Sequence, residues 1–314
     1  MLYTAKPLMF LSGVFMALGN LCLRKNFDHY GSKEAYILIQ TFVSAIIFVM
    51  ATVYSFEIMP NFSLVDISIA TICGTLLASL FIMLGKMLES GPPGLSLAFL
   101  NASSIVPGLI LYLVYGESFN FTYTIANGFG SILVIIGLFL ACGKINTNTI
   151  NAKWLTYCLT AFAIHVLFLT LFQVRNLMLF NEQAGLISLI PYKIPIESQH
   201  WFQPWMYATV CIIHFIIVRK NTIFVKTTDI RFGLIGGTLN CISMFLLLQA
   251  VSKATNFDNA MIFPIYSVTI VLICNIWAYL IYREQIPILA NTLCLIGLFL
   301  GAADINVLVS AFFS

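Results

Sequence analysis

A chain of 314 residues in which 60% are hydrophobic and 9% charged, with a mean hydropathy of +0.97, lies far from the roughly 25% charged residues of soluble domains and belongs in a lipid bilayer. At about 20 apolar residues for each crossing of about 30 Å of hydrocarbon, this length is expected to hold around ten helical spans and no soluble domain. The formal charge of +3 comes from basic residues placed singly or in pairs at the ends of apolar runs, which excludes the basic stripe of a nucleic-acid binder.

The first apolar run covers residues 7–23. Lys6 precedes it, and Arg24 and Lys25 follow without a small-residue cleavage site, so it reads as a retained span and not as a secretory signal. Four more runs follow at 35–56, 67–88, 95–115 and 123–142. A linker rich in Asn and Thr, 143–153, precedes runs at 154–172, 205–218, 232–251, 260–282 and 286–307. The seventh run is short unless Trp201 to Pro204 joins it. It follows the longest connection, 173–203, whose mixed segment 179–193 is expected to lie in the membrane interface as a short helix. The eight cysteines (Cys22, Cys73, Cys142, Cys158, Cys211, Cys241, Cys274 and Cys294) are scattered singly through apolar stretches without metal-type spacing and read as small hydrophobes.

The two halves resemble each other at three places in the same order. Asp66-Ile67 with Gly74-Thr75-Leu76 recurs as Asp229-Ile230 with Gly237-Thr238-Leu239; Tyr115-Gly116-Glu117 recurs as Tyr282-Arg283-Glu284; and Ile136 to Leu140 recurs verbatim as Ile296 to Leu300. Five spans per copy is an odd number, so the second copy enters the membrane from the opposite side. The expected fold is an all-α polytopic membrane protein of ten transmembrane helices, arranged as inverted repeats over residues 1–149 and 150–314. Such a pair encloses a site near the bilayer midplane that opens alternately to each side.

With these features the chain resembles the drug/metabolite transporter superfamily, of the EamA type, over essentially its whole length. The resemblance is carried by the helix closing in Gly116-Glu117 or Arg283-Glu284 and by the Ile-Gly helix that follows. It implies a non-ATP carrier of metabolites such as amino acids, with sugar phosphates or nucleotide-type metabolites as the alternative class, in a bacterial inner membrane. Arg283 replaces the glycine usual before the second glutamate, and the prolines Pro107 and Pro264 sit differently in their helices, so the site is expected to be asymmetric. The carboxylate that the small proton-coupled members carry inside span one is missing between residues 7 and 23.

Ionisable residues inside a bilayer cost about 2.5 to 3.5 kcal/mol on insertion scales, so each is a candidate for function. Lys86, near the end of span three, either snorkels to the interface or offers a cation to a substrate; its partner at the repeat offset is the polar Gln249. Asn101, Asn240 and Asn275 lie well inside spans four, eight and nine, where an amide serves either as glue between helices or as a substrate ligand. Asn101 has the better claim to function, because Gly91-Pro92-Pro93-Gly94 opens its helix and Pro107 interrupts it. Pro264, Tyr266 and Ser267 are expected to form the comparable broken stretch of span nine. His165 and His214 are mid-span and lack a carboxylate partner in sequence. Glu117 and Glu284 are expected to hold the turns into spans five and ten, whose small residues, Gly137 with Ala141 and Gly297 with Gly301, predict close contact between those two helices.

The expected substrate site comprises Lys86, Asn101, Asn240, Gln249, Tyr266 and Ser267, between spans three, four, eight and nine. No cofactor and no metal are expected, and the partners are a small-molecule substrate and the lipid of the bilayer around a monomer. No HExxH or GxSxG pattern and no paired intramembrane aspartates are present, against an intramembrane enzyme, and no Walker motif, against direct use of ATP. A channel or scaffold stays open as an alternative. The positive-inside rule puts eleven of the fifteen Lys and Arg residues on the side opposite the N-terminus, so both termini are expected to face away from the cytoplasm.

Overall fold

A computed structural model describes residues 4–56, 63–90, 93–119, 123–140, 152–255, 258, 261–283 and 288–302. Within them the chain forms α1 (Ala5–Asp28), α2 (Lys33–Phe56), α3 (Leu64–Ser90), α4 (Pro93–Ala102), α5 (Val106–Phe119), α6 (Ile125–Leu140), α7 (Ala152–Phe180), α8 (Phe202–Lys220), α9 (Thr227–Ser252), α10 (Ile262–Tyr282) and α11 (Ile288–Ala302). The described elements are all helical, apart from a single bridge between Ile187 and Ile190. Eight helical segments are long and apolar enough to cross a membrane, with α4 and α5 sharing one of them, while α6 and α11 are shorter apolar helices of 16 and 15 residues. Such helices are those of an integral membrane protein. Their outward faces carry large apolar side chains, as lipid contact requires: Phe42, Leu113, Phe129 and Phe299 are all exposed.

Helix α4 stops at Ala102 and a 3-10 turn over Ser103–Ile105 leads into α5. Pro107 explains the break: without an N–H it leaves the Ser103 carbonyl without its helical donor. The comparable break expected in span nine is absent. Pro264 occupies the first turn of α10, where no residue needs an N–H partner inside the helix, so α10 runs unbroken from Ile262.

The connection after α7 is also corrected. Helix α7 continues eight residues past the expected end at Phe172 because its polar residues find partners: Asn176 donates from Nδ2 to the Val251 carbonyl at 3.0 Å, and Arg175 pairs with Asp66. Residues 181–195 form turns and not the expected interfacial helix, and a 3-10 turn, Ile196–Trp201, leads directly into α8.

The helices gather into one bundle whose two ends are defined by contacts between turns. At the first end, the α1–α2 turn meets the start of α9: Asp229 accepts from Asn26 Nδ2 at 2.9 Å, from the Ser32 N–H at 2.8 Å and from the Lys226 N–H at 2.8 Å. At the opposite end, the 3-10 turn before α8 touches α2 through Thr52, which donates to the His200 carbonyl at 2.9 Å, and α7 through Arg175, which donates to the Gln199 carbonyl and pairs with Asp66 of α3. In between, α1 lies along α9, α3 along α7, α2 against α8 and α9, α8 against α3, and α6 along α11. Glycines allow these approaches. A Cβ on Gly74 would sit 2.6 Å from the Met206 carbonyl of α8, and one on Gly237 would sit 2.7 Å from the Gln40 carbonyl of α2.

Candidate functional site

The break after α4 creates a polar point inside the bundle. The Leu100 carbonyl, in the last turn before the break, accepts from Ser103 Oγ at 2.5 Å and lies 3.1 Å from Nδ1 of His165 on α7. The same Nδ1 is 2.6 Å from Ser103 Oγ. If Nδ1 carries the proton and donates to the carbonyl, Nε2 is left as an acceptor. Asn101 follows Leu100 on the same turn, and its carbonyl accepts from Ser104 Oγ at 2.7 Å.

Leu100, Asn101 and His165 form part of the wall of a cavity of about 300 Å³ enclosed by both halves of the chain. The first half contributes Asn20 and Phe27 of α1, Lys33, Tyr36 and Gln40 of α2, and Leu77, Leu80 and Leu84 of α3. The second half adds Leu169 of α7, Tyr207 of α8, Asn240 and Met244 of α9, and Tyr266, Ser267, Cys274 and Asn275 of α10. Apolar side chains predominate, with a few convergent amides and hydroxyls, as in sites for small organic ligands. The volume is at the lower end for such sites. The cavity reaches from mid-bundle toward the first end, where Phe27 and Lys33 stand beside the α1–α2 turn. Toward the opposite end it stops short of the Asp66–Arg175 pair and of Gln203, which donates from Nε2 to the Met244 carbonyl at 3.0 Å.

Several wall groups are held in place by neighbours. Asn240 donates from Nδ2 to the Tyr207 hydroxyl at 2.7 Å and to Ser44 Oγ at 3.1 Å, and Ser44 in turn donates to the Gly237 carbonyl at 3.1 Å. This ties α9 to α8 and α2, while the Tyr207 ring stacks on Phe48 of α2, centroids 5.6 Å apart. Tyr36 donates to the Gly19 carbonyl at 3.1 Å. Asn275 donates from Nδ2 to Asn291 Oδ1 of α11 at 2.9 Å. The Ser267 hydroxyl is buried and has no partner among the described residues.

Of the six residues expected at the site, Asn101, Asn240, Tyr266 and Ser267 line the cavity. Lys86 does not. It is exposed, with its ammonium 5.5 Å from the centre of the Tyr157 ring, a snorkelling lysine set over an aromatic face. Gln249 also stands apart from the wall, two residues beyond the last α9 residue that lines it, Leu247. His165 and Asn275 line the cavity, whereas His214 packs behind it, edge-on to Phe81 at 6.0 Å. The Glu117 side chain, Glu284, the Gly91-Pro92 pair, Cys142 and most of the Asn/Thr linker lie outside the described residues. The four expected spans do line the cavity, but α1, α2, α7 and α8 do so as well. Lys33 and Tyr207 were missed for that reason. Asn20 and Gln40 left a signal in the sequence, as amides within otherwise apolar runs.

Among the described residues no group of three or more His, Cys, Asp or Glu side chains is placed to hold a metal ion. No family model matches the chain, and no curated protein does. Solved structures do: one protein crystal structure superposes with a TM-score of 0.69 over 95% of this chain and 98% of the other, at 11% identity. At that identity the similarity establishes a shared fold alone.

Proposed function

We propose that the chain is a secondary transporter that moves a small polar organic metabolite across the membrane by alternating access, with amino acids or their derivatives as the first substrate class to test and sugar phosphates or nucleotide-type metabolites as the second. The observation that carries this reading is the cavity between the two halves, walled by a broken helix, buried amides and tyrosines, and reaching toward one end of the bundle only. In this reading the chain is a ten-span carrier of the drug/metabolite transporter type, not an intramembrane enzyme or channel, and acts as a monomer in a bacterial inner membrane.

The pattern of neighbours supports two inverted repeats. Exchanging α1 with α7, α2 with α8, α3 with α9, α4 and α5 with α10, and α6 with α11 carries the main packing partners onto one another. The α1–α9 contact becomes α7–α3, α2–α9 becomes α8–α3, and α2–α8 and α6–α11 map onto themselves. Gly74 and Gly237, 163 positions apart, lie against α8 and α2, which correspond under the same exchange.

Counterflow in proteoliposomes tests the reading, because a carrier exchanges labelled for unlabelled substrate and a channel does not. The expected result is counterflow that falls at least tenfold in Asn101→Ala and in Tyr266→Phe while the protein stays folded. Unchanged transport in both variants would remove the cavity as the translocation site.

A further inference from the structure

We propose that the transported molecule carries a net negative charge, and that the ammonium group of Lys33 is its counter-ion in the cavity. The proposal rests on the transporter reading and adds a substrate class and a binding residue to it.

Lys33 opens α2 at the first end of the bundle and extends across the cavity to α3. Its Nζ lies against Gly85, so that a Cβ at that position would collide with it. It is half-buried and is the one charged side chain in the cavity wall among the described residues. The three basic residues nearest it in the α1–α2 turn and at the start of α9 are engaged elsewhere. Arg24 pairs with Asp28 at 3.6 Å and covers the Tyr282 ring at 5.1 Å, Lys25 lies 5.3 Å from the same ring, and Lys226 donates from Nζ to the Tyr30 carbonyl at 2.5 Å.

The described carboxylates at this end are engaged as well. Asp28 accepts from the Tyr282 hydroxyl at 2.5 Å, Glu34 from Ser32 Oγ at 3.1 Å, and Asp229 from Asn26 and two backbone N–H groups. Lys33 has no ion pair among the described residues. A half-buried cation at the mouth of an apolar cavity among Phe27, Leu80 and Leu84 attracts an anion into that space. The wall provides none, so an anionic substrate fits both the charge and the space. Gln40, in the same wall, can then hydrogen-bond its polar body, as amides do for carboxylates and phosphates alike.

The test is a thermal-shift screen of the purified full chain with mono- and dicarboxylates, amino acids and phosphate monoesters, each beside its uncharged amide, ester or alcohol counterpart and beside quaternary ammonium cations. A ligand that binds only the folded protein raises its apparent melting temperature. Stabilisation is expected from at least one net anion and not from its uncharged counterpart. In Lys33→Gln the shift should vanish; in Lys33→Arg part of it should remain. Gly85→Ala keeps the charge but displaces the ammonium group, and should weaken apparent affinity at least tenfold.

Equal stabilisation by charged and uncharged partners, stabilisation by cations alone, an undiminished shift in Lys33→Gln, or no response to any anion would overturn the proposal. If Lys33→Gln does not fold, the wild-type comparison of each anion with its uncharged counterpart decides alone. Anion binding that depends on Lys33 without counterflow would sink the transporter reading and leave the anion site standing. Counterflow of a neutral solute at wild-type rate in Lys33→Gln would do the reverse.

Discussion

The guanidinium of Arg175 donates to both carboxylate oxygens of Asp66, from Nε at 2.7 Å and from Nη2 at 3.2 Å, and both side chains are almost fully buried. Nη2 also donates to the Gln199 carbonyl at 3.0 Å, and the guanidinium lies 4.1 Å from the centre of the Phe202 ring. One residue thereby joins α7, α3, the 3-10 turn and α8. Removing one partner of such a pair strands a buried charge, whereas removing both does not. Arg175→Ala is expected to lose about 3 to 5 kcal/mol, and Asp66→Leu combined with Arg175→Met to lose less than Arg175→Ala alone. Thermal melts in detergent measure both; a wild-type melt for Arg175→Ala would assign the pair no structural role.

Gly74 and Gly237 should behave as a matched pair. At each, a Cβ would fall within 3 Å of a carbonyl oxygen and a β-carbon on the neighbouring helix, neither of which can rotate away. Alanine at either position is expected to cost about 1 to 3 kcal/mol, as overpacking of a close interface does. Melting temperatures that fall for one glycine and not for the other would contradict the equivalence of the α3–α8 and α9–α2 contacts.

Much of this fold was legible in the sequence, because bilayer insertion leaves a period and a length that composition reveals directly. Eight of the ten apolar runs fall on helices long enough to cross a membrane, and the other two fall on the shorter α6 and α11, which carry the Ile-Gly segments 136–140 and 296–300 and pack along each other. Half of the site was hidden for a physical reason. A residue's distance along its own helix is readable, but its azimuth depends on which helices surround it. Lys86 and Lys33 carry the same charge near helix ends, yet Lys86 turns out over Tyr157 while Lys33 turns in toward Gly85. Arg175 resembled a residue of a polar connection until its partner, 109 positions earlier, was placed beside it. Both Pro107 and Pro264 were expected to break their helices, but Pro264 falls in the first turn of α10, where it breaks nothing.

The hydrogen bond between Asn240 and Tyr207 should be worth little by itself. Polar contacts between membrane helices average about 0.6 kcal/mol and reach about 1.7 kcal/mol in double-mutant cycles. A cycle of Asn240→Ala and Tyr207→Phe is expected to give a coupling in that range, despite the 2.7 Å distance. A coupling well above it would mean that the unfolded chain in the membrane fails to find substitute partners.

Orientation can be tested at two exposed positions. Leu186, in the turns after α7, and Thr222, in the turn after α8, lie at opposite ends of the bundle. With Arg175 locked in an internal ion pair, the basic residues at the Thr222 end outnumber the rest still more strongly, so that end is expected to face the cytoplasm. In a background without reactive native thiols, Leu186→Cys is expected to react with an impermeant maleimide in intact cells and Thr222→Cys only after lysis. The reverse pattern would invert the topology.

The half-buried Cys274 lies in the cavity wall beside Asn275, so the chain carries its own chemical reporter of occupancy. Under the proposed function, a solute bound in the cavity is expected to shield this sulfur from a water-borne thiol reagent. The rate of alkylation at this one atom is therefore a measure of vacancy, readable without a radiolabel and before any substrate has a name.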